Sequence, residues 1–471
     1  MRTLRKQLEA DGTPLLVLHA GDLLFPSVMS KYLNGEPMIR VLNMLDGDGA
    51  KIDNAMYVTL GNHELERSDP MYVLGRVAES DFHWVSSNVR YCRGGKCTQT
   101  FASRLTPMNN EVVVRVGGVP VGIFGVTTDS GQSDYFRVDF RDQEARFADV
   151  RAAIDHLQRK GAKLIIGLTH EDLGDDVELA KKFPEISLIA GGHDHQYLER
   201  TAGKTKIAKG DADAVSVVVW DVAIPDEGEA KITTRRVMLD SAIEKDPAVD
   251  AEVQKWLKAL DEKLGPNVEI GTTKNLLEGV ETAVRQRESA LGNFLADVIR
   301  SWMETDVAFV NGGGIRINDN IPAGPVRTHD IEGIFYYSNP LVRFAVTGQQ
   351  LLDILNNSVS LVEAGDGRFL QVSGLKLTYK VVDGKGVVTS VTVGDKPLDL
   401  AATYTVGTIS FEYERGAEDG YTLFDPANPA KPKLLPPPDR PTLDFRKATE
   451  ATIAALPNHT ITTSIEGRIT R

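Results

Sequence analysis

The stretch Met56-Tyr57-Val58-Thr59-Leu60-Gly61-Asn62-His63-Glu64 passes in one step from an apolar run to side chains capable of chemistry. A short apolar run rich in β-branched and aromatic residues reads as a buried strand. The glycine lets the backbone turn sharply at its end. The same pattern recurs outward from it. Residues 15–19 lead into Gly21-Asp22, residues 163–169 into His170-Glu171, and residues 186–190 into Gly191-Gly192-His193-Asp194-His195. Residues 119–126 read as one more strand, and 144–160 carry Phe147, Val150, Ile154 and Leu157 at helical spacing. Strands alternating with helices predict a layered α/β scaffold, in which loops at strand ends present the reactive groups.

With 471 residues the chain exceeds one ordinary core, so two domains are expected. Hydrophobic residues at 42% and charged residues at 25% match an ordinary globular protein. A formal net charge of −13 argues against nucleic acid or an anionic membrane as the main partner. It does not exclude a phosphorylated substrate, because metals and arginines can invert the field inside a cleft. No apolar run reaches the ~20 residues of a membrane helix. Residues 1–10 are polar and basic, predict a surface helix and contain no apolar leader. Cys92 and Cys97 can close a small disulfide, clip a metal or remain free thiols; spacing alone leaves all three open.

The boundaries expected are a first domain over 1–240, a linker helix within 241–268 and a second domain over 269–471. In the linker, Val249, Val253, Trp256, Leu257, Leu260 and Leu264 share a stripe that Gly265-Pro266 ends. A helix is expected from Arg285 to Met303, and the proline-rich residues 425–445 read as a loop.

Asp22, Asn62, His63, His170, His193 and His195 each follow an apolar run and stand beside small residues. Their oxygens and imidazole nitrogens are ligands that Zn²⁺, Mn²⁺ and similar ions accept. Taken singly, a Gly-Asp is a turn and a buried histidine is a hydrogen-bonded core residue. Together they are a pattern, and histidine abundance does not create it: five of the nine histidines lie elsewhere.

Gly21-Asp22, Gly61-Asn62-His63-Glu64, His170 and Gly192-His193-Asp194-His195 resemble successive blocks of the calcineurin-like metallophosphoesterases. The resemblance implies a four-layer αββα sandwich and two divalent metal ions (Zn, Mn, Mg or Ca). Asp22 would bridge the ions; Asn62, His170 and His193 would complete one site, and His195 would serve the other. His63 would contact the scissile phosphate and stabilise or protonate the leaving oxygen. Two residues beyond Asn-His-Glu the family carries Asp where this chain has Glu66, whose longer arm is expected to orient His63 less well.

The second half adds Arg285-Gln-Arg287-Glu288-Ser289 and Asn311-Gly-Gly-Gly-Ile315-Arg316. The consecutive glycines do not match a dinucleotide fingerprint, which disfavours an oxidoreductase. Beside the first half, these blocks resemble the α+β substrate-binding domain of 5′-nucleotidases and UDP-sugar hydrolases. By that resemblance Arg285 and Arg316 bind substrate, Asn311 contacts the base, and Tyr337 and Tyr413 stack it, with Asp419 nearby; Phe411 is an alternative to Tyr413. Arginine suits phosphate through its planar fork, and rings accept many bases.

The family's opening Asp-x-His segment has no counterpart upstream of Asp22. An N-terminally incomplete chain with one weakened metal position is therefore expected, together with an unpaired gap or new edge in its sheet. The function expected is 5′-nucleotidase-type hydrolysis of nucleotide phosphoesters. The alternatives are 2′,3′-cyclic-nucleotide phosphodiesterase, UDP-sugar hydrolase or a non-catalytic nucleotide binder. Relatives of this kind are often periplasmic or extracellular.

Overall fold

A computed structural model describes the chain except residues 48–50, 67–68, 95, 101–107, 129–134, 139–142 and 226–229. It divides into two compact units, Met1–Lys263 and Leu264–Arg471.

In the first unit, strands β1 (Val17–His19), β2 (Asp53–Thr59), β3 (Phe82–Val85) and β4 (Met108–Asn109) form a parallel sheet in that order. A second sheet is built from β5 (Glu111–Val116), β6 (Val119–Thr127), β7 (Leu164–His170), β8 (Leu188–Gly191), β9 (Leu198–Ala202) and β10 (Thr205–Lys209), in the order β9-β10-β8-β7-β6-β5. Its centre is parallel, and β5 and β9 are antiparallel flanks.

Alternation along the central strands builds the layers. Val121, Ile123, Leu164, Ile166, Leu168 and Leu188 join Tyr57 and Val85 in a core between the sheets. Phe124, Val126, Ile165 and Ile189 point the other way, onto Val150, Ile154, Leu157 and Leu179 of helices α5 (Gln143–Arg159) and α6 (Leu173–Lys182). Strands buried on both faces need apolar side chains at successive positions, which is why these runs do not alternate with polar residues. Helices α2 (Val28–Leu33), α3 (Glu36–Leu42) and α4 (Met71–Ala78) accompany the first sheet and bury Ile39, Val73 and Val77. The expected αββα sandwich is the architecture found.

The strands lie within a residue or a few of their expected positions. One local reading changes, and one left open is decided. Helix α1 (Arg2–Glu9) is not a plain surface helix: Leu4 and Arg5 are buried, and Arg5 pairs with the Asp53 carboxylate at the start of β2. Lys6 Nζ and Arg2 Nε also reach Asp246, at 2.6 and 3.2 Å. The three outcomes left open for the cysteines resolve to a Cys92–Cys97 disulfide across a hairpin. Helix α7 (Pro247–Leu264) carries the chain out of the first unit, its last residue being the first of the second.

The second unit centres on β11 (Val307–Asn311), β12 (Leu341–Thr347), β13 (Leu370–Ser373) and β14 (Thr403–Ile409), in the order β12-β14-β11-β13. Ala308 and Val310 of β11 face one core, while Val307 and Phe309 face the other. The helix expected from Arg285 begins later, as α9 (Ala290–Met303), and a separate short helix, α8 (Glu281–Val284), precedes it. Gln371 separates them. Its Nε2 donates to Val284 O and Arg287 O at 2.9 and 2.7 Å, and its Oε1 accepts from Ser289 N at 3.1 Å. Ser289 then caps α9 by accepting from Gly292 N. The proline-rich segment is pinned along β12, with Leu435 N donating to Arg343 O and Arg343 Nε donating to Pro436 O.

Candidate metal centre and arginine cluster

Parallel register brings the carboxyl ends of β1 and β2 to one edge of their sheet, and those of β7 and β8 to one edge of theirs. The loops that follow meet closely. A Cβ on Gly21 would stand 2.6 Å from Gly61 N and 2.7 Å from His170 Nδ1; one on Gly61 would stand 2.1 Å from Asp22 Oδ1. No side chain fits at either position, so these glycines are required by approach as well as by turning.

Glu64 ties the first two loops together. It is fully buried and accepts from Asp22 N at 2.9 Å, Leu24 N at 2.8 Å and Gly61 N at 2.6 Å. Burial first, and then Asp22 beside it, push its carboxyl up to about 7, while the Leu24 and Gly61 N–H groups oppose the rise. Asp22 is thereby held at φ 52°, and His193 and His195 stand at φ 78° and 60°. Non-glycine residues hold such backbone only where the surroundings enforce it, at about 1–3 kcal/mol each.

Ligand atoms of Asp22, His170 and His193 all lie within 4.8 Å of one another. His170 Nδ1 donates to Ala20 O at 2.6 Å, which turns Nε2 inward. That Nε2 is 3.0 Å from Asn62 Oδ1, 3.0 Å from Asp22 Oδ2 and 3.3 Å from His193 Nδ1. Asp22 Oδ1 accepts from His63 N at 3.0 Å, but Oδ2 is buried with no hydrogen-bond partner. Oxygen and nitrogen acceptors crowded around one point, one of them an orphaned carboxylate oxygen, fit a divalent cation. Burial works against the Asp22 charge, yet the imidazoles of His170, His63 and His193 outweigh it and hold the carboxyl below its usual range. Burial, reinforced by His170, pushes His193 well below the usual imidazole range, keeping it neutral and competent as a ligand.

His63 lies beside this group, with Nε2 at 4.0 Å from Asp22 Oδ2 and Nδ1 at 2.9 Å from Glu66 Oε1. The longer arm of Glu66 reaches the ring. His195 stands outside the three-residue group, and Ala212 N donates to its carbonyl. Two residues near the centre escaped the sequence reading. One is Glu64. The other is His19, whose buried Nδ1 has no partner; burial first, and then His170, push that ring down to about 4, against the opposing pull of Asp22. Both follow or end an apolar run, and that position was the only available signal.

In the second unit, Asn311 ends β11 and opens the three-glycine turn. A Cβ on Gly312 would lie 2.4 Å from Val284 O, and Gly313 N donates to Gly367 O at 2.9 Å. The turn therefore packs flat against the segment that carries Arg285. Arg285 Nη2 donates to Glu281 Oε1 at 2.6 Å, and Arg316 Nη1 lies 3.9 Å from the same oxygen. Burial lowers the Arg285 pKa; Glu281 opposes this, while Arg316 adds to it. Arg285 Nε and Asn311 Oδ1 are buried without partners. Arg368 grips Asp366 through Nε and Nη2 at 2.9 and 3.3 Å. The Asp419 carboxyl is pushed up to about 6 by burial and then Asp366, with Arg368 and Arg285 pulling the other way. Arg285, Asp366, Arg368 and Asp419 thus act on one another as one charged cluster, with Arg316 beside Arg285.

The two rings are placed differently. Tyr337 is 37% exposed and meets Tyr336 edge-on at 4.7 Å. Tyr413 packs on Phe344 and Phe424, lies under Lys431 and donates to Pro432 O at 2.9 Å. Phe411 is partly buried, with Arg415 over its face at 5.6 Å.

Residues 1–197 match the calcineurin-like phosphoesterase model, and residues 269–426 match that of the 5′-nucleotidase C-terminal domain. The chain is 26% identical over 470 residues to the snake venom 5′-nucleotidase of Naja atra, covering 89% of this chain and 84% of that protein. It is 26% identical over 472 residues to a 5′-nucleotidase of Vibrio cholerae, covering 89% and 80%. The structure of a 5′-nucleotidase precursor from Thermus thermophilus matches all of this chain and 92% of its own, at TM-score 0.79 and 25% identity. Divalent metal ions are implied by the first domain's family, and among the described residues no helix is long and apolar enough to cross a membrane. With both domain models matched in order and relatives aligned along nearly the whole length, this chain belongs to the 5′-nucleotidase family of metallophosphoesterases.

Proposed function

We propose that the chain hydrolyses nucleotide phosphoesters in the 5′-nucleotidase manner, releasing phosphate from a nucleoside monophosphate. The observation that carries this reading is the orphaned, buried Asp22 Oδ2 among Asn62 Oδ1, His170 Nε2 and His193 Nδ1. Asp22, Asn62, His170 and His193 would hold a divalent ion, and Asp22 and His195 would contribute to a second. Bound divalent cations supply Lewis acidity, neutralising phosphate charge and making water nucleophilic at neutral pH.

The protein's own groups do the rest. Glu66 Oε1, 2.9 Å from His63 Nδ1, orients the ring so that Nε2 can present a proton to the ester oxygen. As the water oxygen, one proton released to solvent, bonds to phosphorus and the P–O ester bond breaks, the His63 proton passes to the departing nucleoside oxygen, and the ring regains a proton from solvent. In the second unit Arg285 and Arg316 present forked donors for an anionic nucleotide, Asn311 offers an amide to the base and Asp419 accepts from a hydroxyl. Tyr337 and Tyr413 are the stacking rings of this reading. Tyr337 is 37% exposed, whereas Tyr413 must give up packing to serve.

The test is phosphate release from a panel of nucleoside monophosphates, 2′,3′-cyclic nucleotides and UDP-glucose with Mn²⁺, Mg²⁺, Zn²⁺ or Ca²⁺. Nucleoside monophosphates should turn over fastest. The change His63→Ala should lower turnover about 10²–10⁴-fold while metal content stays at the wild-type value. Undiminished turnover in that variant would remove His63 from the mechanism.

A further inference from the structure

Beneath the loops that carry the histidines lies a lysine that the mechanism does not use. Lys209 ends β10, and its side chain is 1% exposed. Its Nζ donates to Gly192 O at 3.0 Å and to Glu171 O, pairs with the Asp194 carboxylate and lies 2.9 Å from Asp176 Oδ2. Three N–H bonds are shared among these oxygens, so the ammonium is fully engaged.

The addresses of those oxygens matter. Glu171 follows His170 directly, Gly192 precedes His193, and Asp194 stands between His193 and His195. Asp176 is itself held by Thr169, whose Oγ1 donates to it at 2.6 Å, one residue before His170. Asp194 is fixed from its other side, its Oδ1 accepting from Leu173 N at 3.3 Å. One buried cation thus joins the loop after β7 to the loop after β8. The second of these loops holds His193 and His195 in left-handed backbone that has to be enforced. An isolated buried ammonium is strongly unfavourable, and removing one partner of a buried pair leaves the other charge uncompensated. The residue therefore persists only with its carboxylates in place.

We propose that Lys209 is a positioning residue for the metal centre, an internal cation that clamps the His170 and His193 loops in ligand geometry. This rests on the reading of Asp22, His170 and His193 as a divalent-metal site. The proposal has a sign that sets it apart from simple electrostatics. A fixed positive charge near a metal repels it, so deleting the charge should tighten binding if charge alone mattered. A clamp predicts the reverse.

The experiment is Mn²⁺ binding by calorimetry, with Mn²⁺ electron paramagnetic resonance, on wild type, Lys209→Met and Lys209→Gln. Thermal melts without metal report folding. The clamp predicts that Lys209→Met weakens Mn²⁺ binding about 10- to 100-fold, the usual effect of losing an outer-shell partner, and broadens the resonance. Lys209→Gln keeps donors for Glu171 O and Gly192 O and should lose less; it carries the test alone if the methionine variant does not fold. Unchanged or tighter Mn²⁺ binding in the folded variant overturns the clamp. A wild type that binds no Mn²⁺ overturns the metal site itself, and the clamp with it.

Discussion

Around Asp22 the first unit gathers acceptors with too few donors, and around Arg285 the second gathers donors with too few acceptors. Asp22 Oδ2 is buried without a hydrogen-bond donor, and Arg285 Nε is buried without an acceptor. In one cluster imidazoles restrain a carboxylate; in the other Glu281 Oε1, 2.6 Å from Arg285 and 3.9 Å from Arg316, restrains two guanidiniums. Each site is nearly, but not fully, compensated by its own residues. The remainder has opposite sign in the two places: in the proposed reading a cation would complete the first and an anion the second. Both are built by glycines pressed against a neighbouring backbone, which lets polar groups converge without apolar atoms between them.

The sharpest way to break the contrast is Asp22→Ala. It should abolish the metal-induced rise in melting temperature and lower turnover by about 10³-fold or more, since metal Lewis acidity supplies several kcal/mol. Nucleotide binding through the second unit should survive in that variant. If nucleotide affinity fell equally, the two clusters would not be separable.

Arg285→Ala tests the other half. A charge-assisted hydrogen bond is worth about 1.5–3 kcal/mol, so KM should rise about 10- to 100-fold while kcat and metal content hold. A fall in kcat with unchanged KM would show that Arg285 does not bind the ground state.

Glycine substitutions compare the two frameworks. Gly312→Ala places a Cβ 2.4 Å from Val284 O and should destabilise by about 1–3 kcal/mol in a thermal melt. Gly61→Ala meets Asp22 Oδ1 at 2.1 Å and should also forfeit metal binding. Metal binding retained in Gly61→Ala would show that the close approach is not needed.

The smallest effect is a pH dependence. With its pKa near 6, Asp419 is charged and able to accept above that pH, so KM should rise as pH falls below about 6, at most about tenfold per unit. Asp419→Asn should flatten that limb. For stability the sign is opposite: a raised folded-state pKa favours the fold below the ordinary Asp value and loses that contribution as pH climbs through about 6. Asp419→Asn should remove that slope from a melting-temperature profile between pH 4 and about 6.

Much of this was legible in the residues because strand ends concentrate both signals, an apolar run and then Gly with Asp, Asn or His. Asp22, Asn62, His170 and His193 were found that way, and the structure brings Asp22, His170 and His193 within 4.8 Å of one another, with Asn62 Oδ1 3.0 Å from His170 Nε2. Helix boundaries set by local periodicity were legible too, as at 143–159. The break at 285–289 was not, because a side chain distant in sequence, Gln371, enforces it. Arg5 read as a surface charge because Asp53 is 48 residues away along the chain.

The sequence by itself determined which residue types stand at the ends of buried strands, and so the kind of chemistry available. Only the tertiary structure decided which atoms are left unsatisfied. Glu64 and Lys209 look like ordinary charged residues in the chain; packing turns one into a receptor for backbone N–H groups and the other into a buried clamp. That distinction rests on burial and on contacts between distant segments, which local patterns of apolar and polar residues do not encode.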